Sequence, residues 1–460
     1  VSCGDEDLEP TLAMDKDTST GIQNADDLRS VLNSAYNRMT SSDYYMRDFI
    51  VMGEVRTDNM YANMNSGRFS SSDMNHNPDG FSEESWATIY RVIAITNIVA
   101  NVDAASLEGN PAEINHIIGQ AHALRALCHF DLLRNYGQHF VDGQGGAGSL
   151  GVPYVKTYKD PANLSPARDT VLSNVTDIMA DFQGGIALMN DAFNVSTSYM
   201  TQSGAYALMA RAALYFGAVD SSFYSTAGTA AKWVIDNSGA APVSATGFKA
   251  SYYTDNAVNS LFELEATGTD GPGIDGLAYI YRGSSYGDVR ILTGTGANPD
   301  LYDILTATDV RGTVNGMIGT QQGYPTIIGK YPTTNGSDNV TVIRVEEMHL
   351  IYAEALLRAG NASGALTYLN NVPSLRNAPT YTSATLDNIL LERRKEFYGE
   401  GLRFYDLART GQDMPLIDSV KQLNDDLTGT PPAFGSYRYA YPISISERNA
   451  NPNIQQNAGY

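Results

Sequence analysis

Apolar residues recur at helical spacing along most of the chain. Between Glu83 and Val102 the apolar positions Ile89, Val92, Ile93, Val99 and Ala100 trace one face of a 3.6-residue repeat. Pro111–Gly137 is a second long pattern, with proline where a helix starts and glycine where one stops. Asp169–Met189, Thr201–Val219 and Thr229–Asn237 continue the series. Arg344–Ala359 sets Met348, Ile351, Tyr352, Ala355 and Ala359 on one stripe, and Leu386–Thr410 closes the helical set.

The helical segments come in pairs, and some echo one another. Arg125-Ala126-Leu127-Cys128-His129-Phe130 and Arg211-Ala212-Ala213-Leu214-Tyr215-Phe216 share an Arg-Ala start and a (His/Tyr)-Phe end. Tyr352–Gly360 followed by Gly364-Ala365-Leu366 reads as a helix–turn–helix with small residues at the close approach. No fixed period holds, so an array-only fold is not expected. Two zones break the pattern: Thr40–Phe81, rich in Ser, Asn, Asp, Met and Gly, and Ala240–Val342, rich in Gly, Thr, Tyr and Asp with β-like pieces at Leu261–Leu264 and Thr341–Ile343. Loops of this length in a compact protein usually carry function. Gly143–Gly148 is read as a turn. The expected fold is mostly α: tetratricopeptide-like helix pairs in a right-handed scaffold, under an irregular cap with short β pieces. The expected segments are a tether (1–24), a helical region (25–238), a loop-rich ligand-binding insertion (239–342) and a C-terminal helical region (343–460).

Charge narrows the partners. The 460 residues carry 51 acids against 30 bases, a net charge of −21. Nucleic-acid binding needs a basic face, and Arg393-Arg394-Lys395 is hemmed in by Glu392, Glu396 and Glu400, so no nucleic-acid partner is expected. No apolar run reaches the length of a membrane helix. Tyrosine is abundant, 29 against 14 Phe, which suits rings that pack on one side and meet water or a polar ligand on the other.

Catalytic motifs are missing from the sequence: no Gly-x-Ser-x-Gly, His-Glu-x-x-His, phosphate loop or Cys-x-x-Cys. Neither catalysis, a metal nor a cofactor is expected. His122 and His129 read as packing residues, and Asp270–Gly276 lacks the ligand spacing of a calcium loop. The Arg393, Arg394, Glu396, Glu400 and Arg403 cluster has the spacing of intrahelical ion pairs. Two cysteines form no disulfide framework, and Cys128 reads as a buried thiol.

The ending Asn451-Pro452-Asn453-Ile454-Gln455-Gln456-Asn457-Ala458-Gly459-Tyr460 resembles that of the SusD/RagB family of nutrient-binding lipoproteins. Glu392–Phe397 with Glu400–Leu407, Arg344–Gly360, Trp86–Tyr90, Arg125-Ala126, Asn135-Tyr136-Gly137 and Gly151–Tyr154 are similar to further stretches of that family. The resemblance covers roughly residues 25–460. It implies a non-catalytic surface protein that captures glycans, or peptides in a minority branch, and passes them to a SusC-like TonB-dependent transporter. The start Val1-Ser2-Cys3-Gly4, with Asp5-Glu6-Asp7 behind it, resembles the tail of a lipobox, so lipidation at Cys3 and an outer-membrane, outward-facing location are expected.

A sugar offers C–H faces edged by hydroxyls, which rings plus Asp, Asn or Arg recognise. Two loops supply that mix. One holds Asp43, Tyr44, Tyr45, Asp58, Asn59, Tyr61, Asn65 and Arg68; the other holds Tyr279, Tyr281, Arg282, Tyr286 and Asp288, with Tyr324 beyond.

Overall fold

In the computed structural model several of the helices start where side chains can satisfy free backbone N–H groups. Helix α1 (Ala25–Met39) is capped by Asn24, whose side chain accepts from Asp27 N. Helix α2 spans Glu83–Ala100, and α3 spans Pro111–Tyr136 behind an Asn110 cap with proline in its first turn. Thr170 and Thr201 cap α4 (Val171–Leu188) and α5 (Gln202–Phe216) through their hydroxyls. Helix α6 covers Phe223–Asn237. It begins six residues before the expected Thr229, because Phe223 and Tyr224 pack on the core as well. The structure describes residues 21–63, 65–66, 83–282, 286–294, 298–333, 335–422 and 431–460, with backbone alone at 83 and 84.

A short helix α7 (Leu277–Arg282) lies in the cap. Helices α8 (Val345–Arg358) and α9 (Ala362–Asn370) form the anticipated helix–turn–helix. The expected single helix Leu386–Thr410 is two, α10 (Leu386–Phe397) and α11 (Arg403–Arg409). Gly399 and Gly401 break it with φ of +76° and +77°, left-handed values that only glycine takes without steric cost.

Among the described residues six short strands make three two-stranded antiparallel sheets. Strand β1 (Met60–Ala62) pairs with β3 (Val289–Ile291), β2 (Ser260–Leu264) with β6 (Val340–Arg344), and β4 (Ile318–Gln321) with β5 (Tyr324–Ile327). One hydrophobic core runs from Leu28 through Trp86, Leu127 and Ile351 to Ile454. No described helix is long and apolar enough to cross a membrane.

Helices α3 and α4 approach at two glycines. A Cβ on Gly119 would stand 2.7 Å from the Gly185 carbonyl oxygen, and one on Gly185 would stand 2.6 Å from that of Gly119. The Arg-Ala echo has a shared task. Arg125 on α3 reaches Asp181 on α4 at 2.6 and 2.7 Å, and Arg211 on α5 reaches Glu347 on α8 at 2.6 Å. Each arginine thus bolts its helix to a carboxylate on a neighbour. His122 joins the first pair through Asp181, while His129 stacks on Tyr154 at 3.7 Å, both as packing residues. Cys128 is fully buried.

The cluster expected to pair within one helix instead pairs between elements. Arg393 binds Asp406 at 2.7 Å across the glycine break. Glu396 receives Arg344, Arg376 and Arg311, one each from the start of α8, the segment after α9 and the cap. The C-terminal signature is a clasp: the Asn451 and Asn453 amides donate to the carbonyls of Pro166 and Ser165 at 2.9 and 2.7 Å. Asn457 accepts from Arg168 at 2.7 Å and donates to Tyr136 O at 2.9 Å.

Candidate functional site

The two Tyr-rich loops meet. The β1–β3 ladder sets Met60 opposite Ile291, Tyr61 opposite Arg290 and Ala62 opposite Val289. Beyond it the Asn63 amide donates to Gly287 O at 2.7 Å and that of Asn65 to Tyr286 O at 2.6 Å. The Asp288 carboxylate takes both the N–H and the hydroxyl of Ser66 at 2.8 Å. Segments more than 200 residues apart in sequence are therefore stitched into one surface.

Aromatic rings flank this ladder. At one end Tyr279 and Tyr286, both half-buried, lie edge to face at 6.1 Å. At the other, the Arg290 guanidinium stands 5.2 Å from the ring of Tyr324, which is 51% exposed. Arg290 donates to Gln321 O and to the Gln322 side chain, and burial lowers its pKa, with Tyr61 and Tyr324 beside it. Its buried Nε has no partner, a donor held in a desolvated place. Lys421 lies 5.7 Å from the Tyr61 ring. Such an array of rings with a fixed cation at its edge suits a flat, hydroxyl-edged molecule.

Several expected ligand residues serve the scaffold instead. Tyr44 and Tyr45 are buried and both donate to the Asp131 carboxylate, at 2.6 and 2.7 Å. Asp58 is buried between Arg403 and Arg394. Asn59 donates to Glu54 at 3.0 Å and accepts from Arg394 at 2.9 Å. Tyr281 is buried against Tyr331, ring centroids 5.6 Å apart. Each is removed from the surface by these internal bonds, which a polar residue needs once buried. Arg282 turns to the carbonyls of Pro332 and Ile328, and Asp43 bonds to Ser41 and Thr88. Tyr61 is nearly buried, packed with Leu292 and Ile417. Arg68 and Cys3 lie outside the described residues.

Arg290 and Lys421 were missing from the sequence-derived set. Arg290 carried one usable signal, the alternation Asp288-Val289-Arg290-Ile291 of a strand two residues past Tyr286. Lys421 carried none, since only the fold brings it to Tyr61. Electrostatics beneath the surface are set by burial. Burial raises the Asp58 carboxyl, but Arg403 and Arg394 outweigh it and hold it at about 2. Burial pushes Glu54 up to about 7, against the bonds from Asn59 and Gly401. No cluster of three His, Cys, Asp or Glu able to hold a metal exists among the described residues.

Comparison with known proteins agrees with this architecture. Residues 319–460 match the SusD family, and residues 7–214 match a family described as starch-binding, associating with the outer membrane. A SusD-like protein of Formosa agariphila is 28% identical over 151 residues, covering 29% of this chain and 28% of its own. The starch-binding protein SusD of Bacteroides thetaiotaomicron is 32% identical over 192 residues, 40% of this chain and 31% of its own. The matches thus span under a third of these two relatives' length. A solved structure of a putative sugar-binding protein from Bacteroides vulgatus superposes with a TM-score of 0.83 at 28% identity, covering 96% of this chain and 100% of that one. Matched at both ends and superposed along nearly its whole length, the chain belongs to the SusD/RagB-like family.

Proposed function

We propose that the protein is a non-catalytic glycan-binding protein of the cell surface, anchored through Cys3, that captures oligosaccharides and hands them to a SusC-like TonB-dependent transporter in the outer membrane. The observation that carries the binding part is the β1–β3 ladder, which joins the two Tyr-rich loops and flanks them with Tyr279, Tyr286 and Tyr324. In this reading the three rings stack on sugar faces and Arg290 donates to hydroxyls. Asp43, Tyr61 and Arg282 border the site, and Tyr44, Asp58, Asn59 and Tyr281 hold its floor. A net charge of −21 suits neutral glycans over anionic ones.

The test is affinity electrophoresis of the purified chain against neutral and anionic polysaccharides, with a mixed peptide pool as comparison. Retardation by a neutral glycan, relieved in Tyr286→Ala and Tyr324→Ala, supports the reading. Peptide binding with no glycan response overturns it. Co-purification with a barrel transporter, lost in Cys3→Ser only at the membrane, tests the delivery step.

A further inference from the structure

A second concave site lies behind the first. A half-enclosed cleft of about 210 Å³ opens between the short helix Phe248–Ser251 and residues 330–333 and 337–341. Helix α7 backs it: Tyr281 stacks on Tyr331, which lines the cleft, and Arg282 donates to Pro332 O. The same short helix carries Tyr279 of the pair described above.

Lys330 forms part of the floor, with its side chain fully buried. Its ammonium donates to Glu396 O at 2.8 Å and to Glu400 at 2.6 Å and stands 4.2 Å from the Tyr398 ring centroid. On the wall, Asp338 accepts from Thr333 N at 2.8 and 3.0 Å, and Glu263 accepts from Asn256 N and the Asn339 amide at 2.8 Å. Each of these carboxylates keeps further acceptor capacity. At the rim stands the ring of Tyr253, 55% exposed, beside Asp255. Burial, the largest cause, raises the Asp338 pKa.

Among the described residues no aliphatic side chain lines this space. It offers an exposed ring for a C–H face, and carboxylates and an amide for hydroxyls. Glu400 is spent on Lys330 and Arg344, and the remaining Asp255, Glu263 and Asp338 disfavour an anion. The acids are spread around the walls and do not converge as metal ligands do. The volume falls below the roughly 300 Å³ at which sites for larger ligands begin, so it fits a single ring. We propose that this cleft is a separate carbohydrate site for one neutral or amino-bearing sugar ring. Tyr253 covers the C–H face, and Asp338 and Asp255, the accessible acids of the lining, bond the hydroxyls, while buried Glu263 and Lys330 fix the walls. The proposal is independent of the β1–β3 surface.

The experiment titrates the full chain with glucose, galactose, glucosamine and glucuronate, read by saturation-transfer NMR and calorimetry. The variants are Tyr253→Ala, Asp338→Asn and the double change Tyr286→Ala/Tyr324→Ala. At least one neutral or amino sugar binds the unmodified chain and glucuronate does not. Tyr253→Ala and Asp338→Asn each weaken that binding about tenfold, as expected for one lost polar or ring contact, while the double variant keeps it. Tyr253 is exposed, so its variant folds, and circular dichroism checks both. The cleft is overturned if no sugar binds, if glucuronate binds equally, or if Tyr253→Ala and Asp338→Asn retain full affinity. Loss in the double variant alone also overturns it, yet favours the β1–β3 surface; loss of polysaccharide retardation with the cleft intact has the opposite meaning.

Discussion

Arg403 grips Asp58 with two 2.8 Å hydrogen bonds, Nε to one carboxylate oxygen and Nη2 to the other, across 345 residues of sequence. Asp58 is buried and Arg403 largely so, and Arg394 sits 3.2 Å from the same carboxylate. The first turn of α11 is thereby fastened beneath the loop that leads into β1.

Removing one partner leaves a buried charge uncompensated. Arg403→Ala is expected to cost about 3 kcal/mol, the scale for breaking a buried pair, seen as a lower denaturation midpoint. The carboxyl is depressed from 3.8 to about 2. Its contribution is complete above the unfolded value and is lost as pH falls through about 2. Asp58→Asn should therefore flatten the acid limb of the stability curve in that window, and an unchanged limb would contradict the assignment.

Glu54 has the opposite sign. Its folded value of about 7 exceeds the ordinary 4.5, so the native state holds a proton that the unfolded chain has released between those values. Stability due to Glu54 falls as pH rises from 4.5 to about 7, by on the order of 3 kcal/mol. Melting temperatures of wild type and Glu54→Gln should agree at acid pH and diverge as pH rises through about 7, with the variant showing the weaker pH dependence.

For the ligand surface, Tyr324→Ala and Tyr286→Ala should each reduce glycan affinity about tenfold, roughly 1.4 kcal/mol, with little change in melting temperature. Tyr281→Ala should instead lower stability by about 3 kcal/mol, as a buried aromatic does. Calorimetry beside thermal melts separates the two behaviours.

Adjacent glycines in α4 give an internal control. Gly185→Ala places a methyl against the Gly119 carbonyl and should cost about 2 kcal/mol by overpacking. Gly184 has nothing within 4 Å of its would-be Cβ. Gly184→Ala should stabilise by about 0.8 kcal/mol through helix propensity.

The helices were legible because periodicity and caps are local. Pro111 and Gly137 bracket α3 within a residue. The break after Phe397 was not, since the glycines lie inside a run whose apolar spacing continues on both sides. For the site, composition located both loops but could not sort their tyrosines. Tyr44 and Tyr286 differ only in what lies beneath them: Asp131, brought by α3, claims the Tyr44 hydroxyl. Partners supplied from 87 residues away leave no mark on the local pattern.

The C-terminal clasp makes the two ends of the fold depend on each other. Arg168 is buried with carbonyl and amide oxygens as its acceptors, including Asn457 Oδ1 and Gln455 O, and burial draws its pKa down to about 10. Gly151 O, Tyr136 O and Leu150 O supply three of its acceptors from the first half of the chain, and Gln455 O and Asn457 Oδ1 add two from 287 and 289 residues further on. Without those two the buried cation is incompletely compensated, so the helical body and the C-terminal segment secure one another.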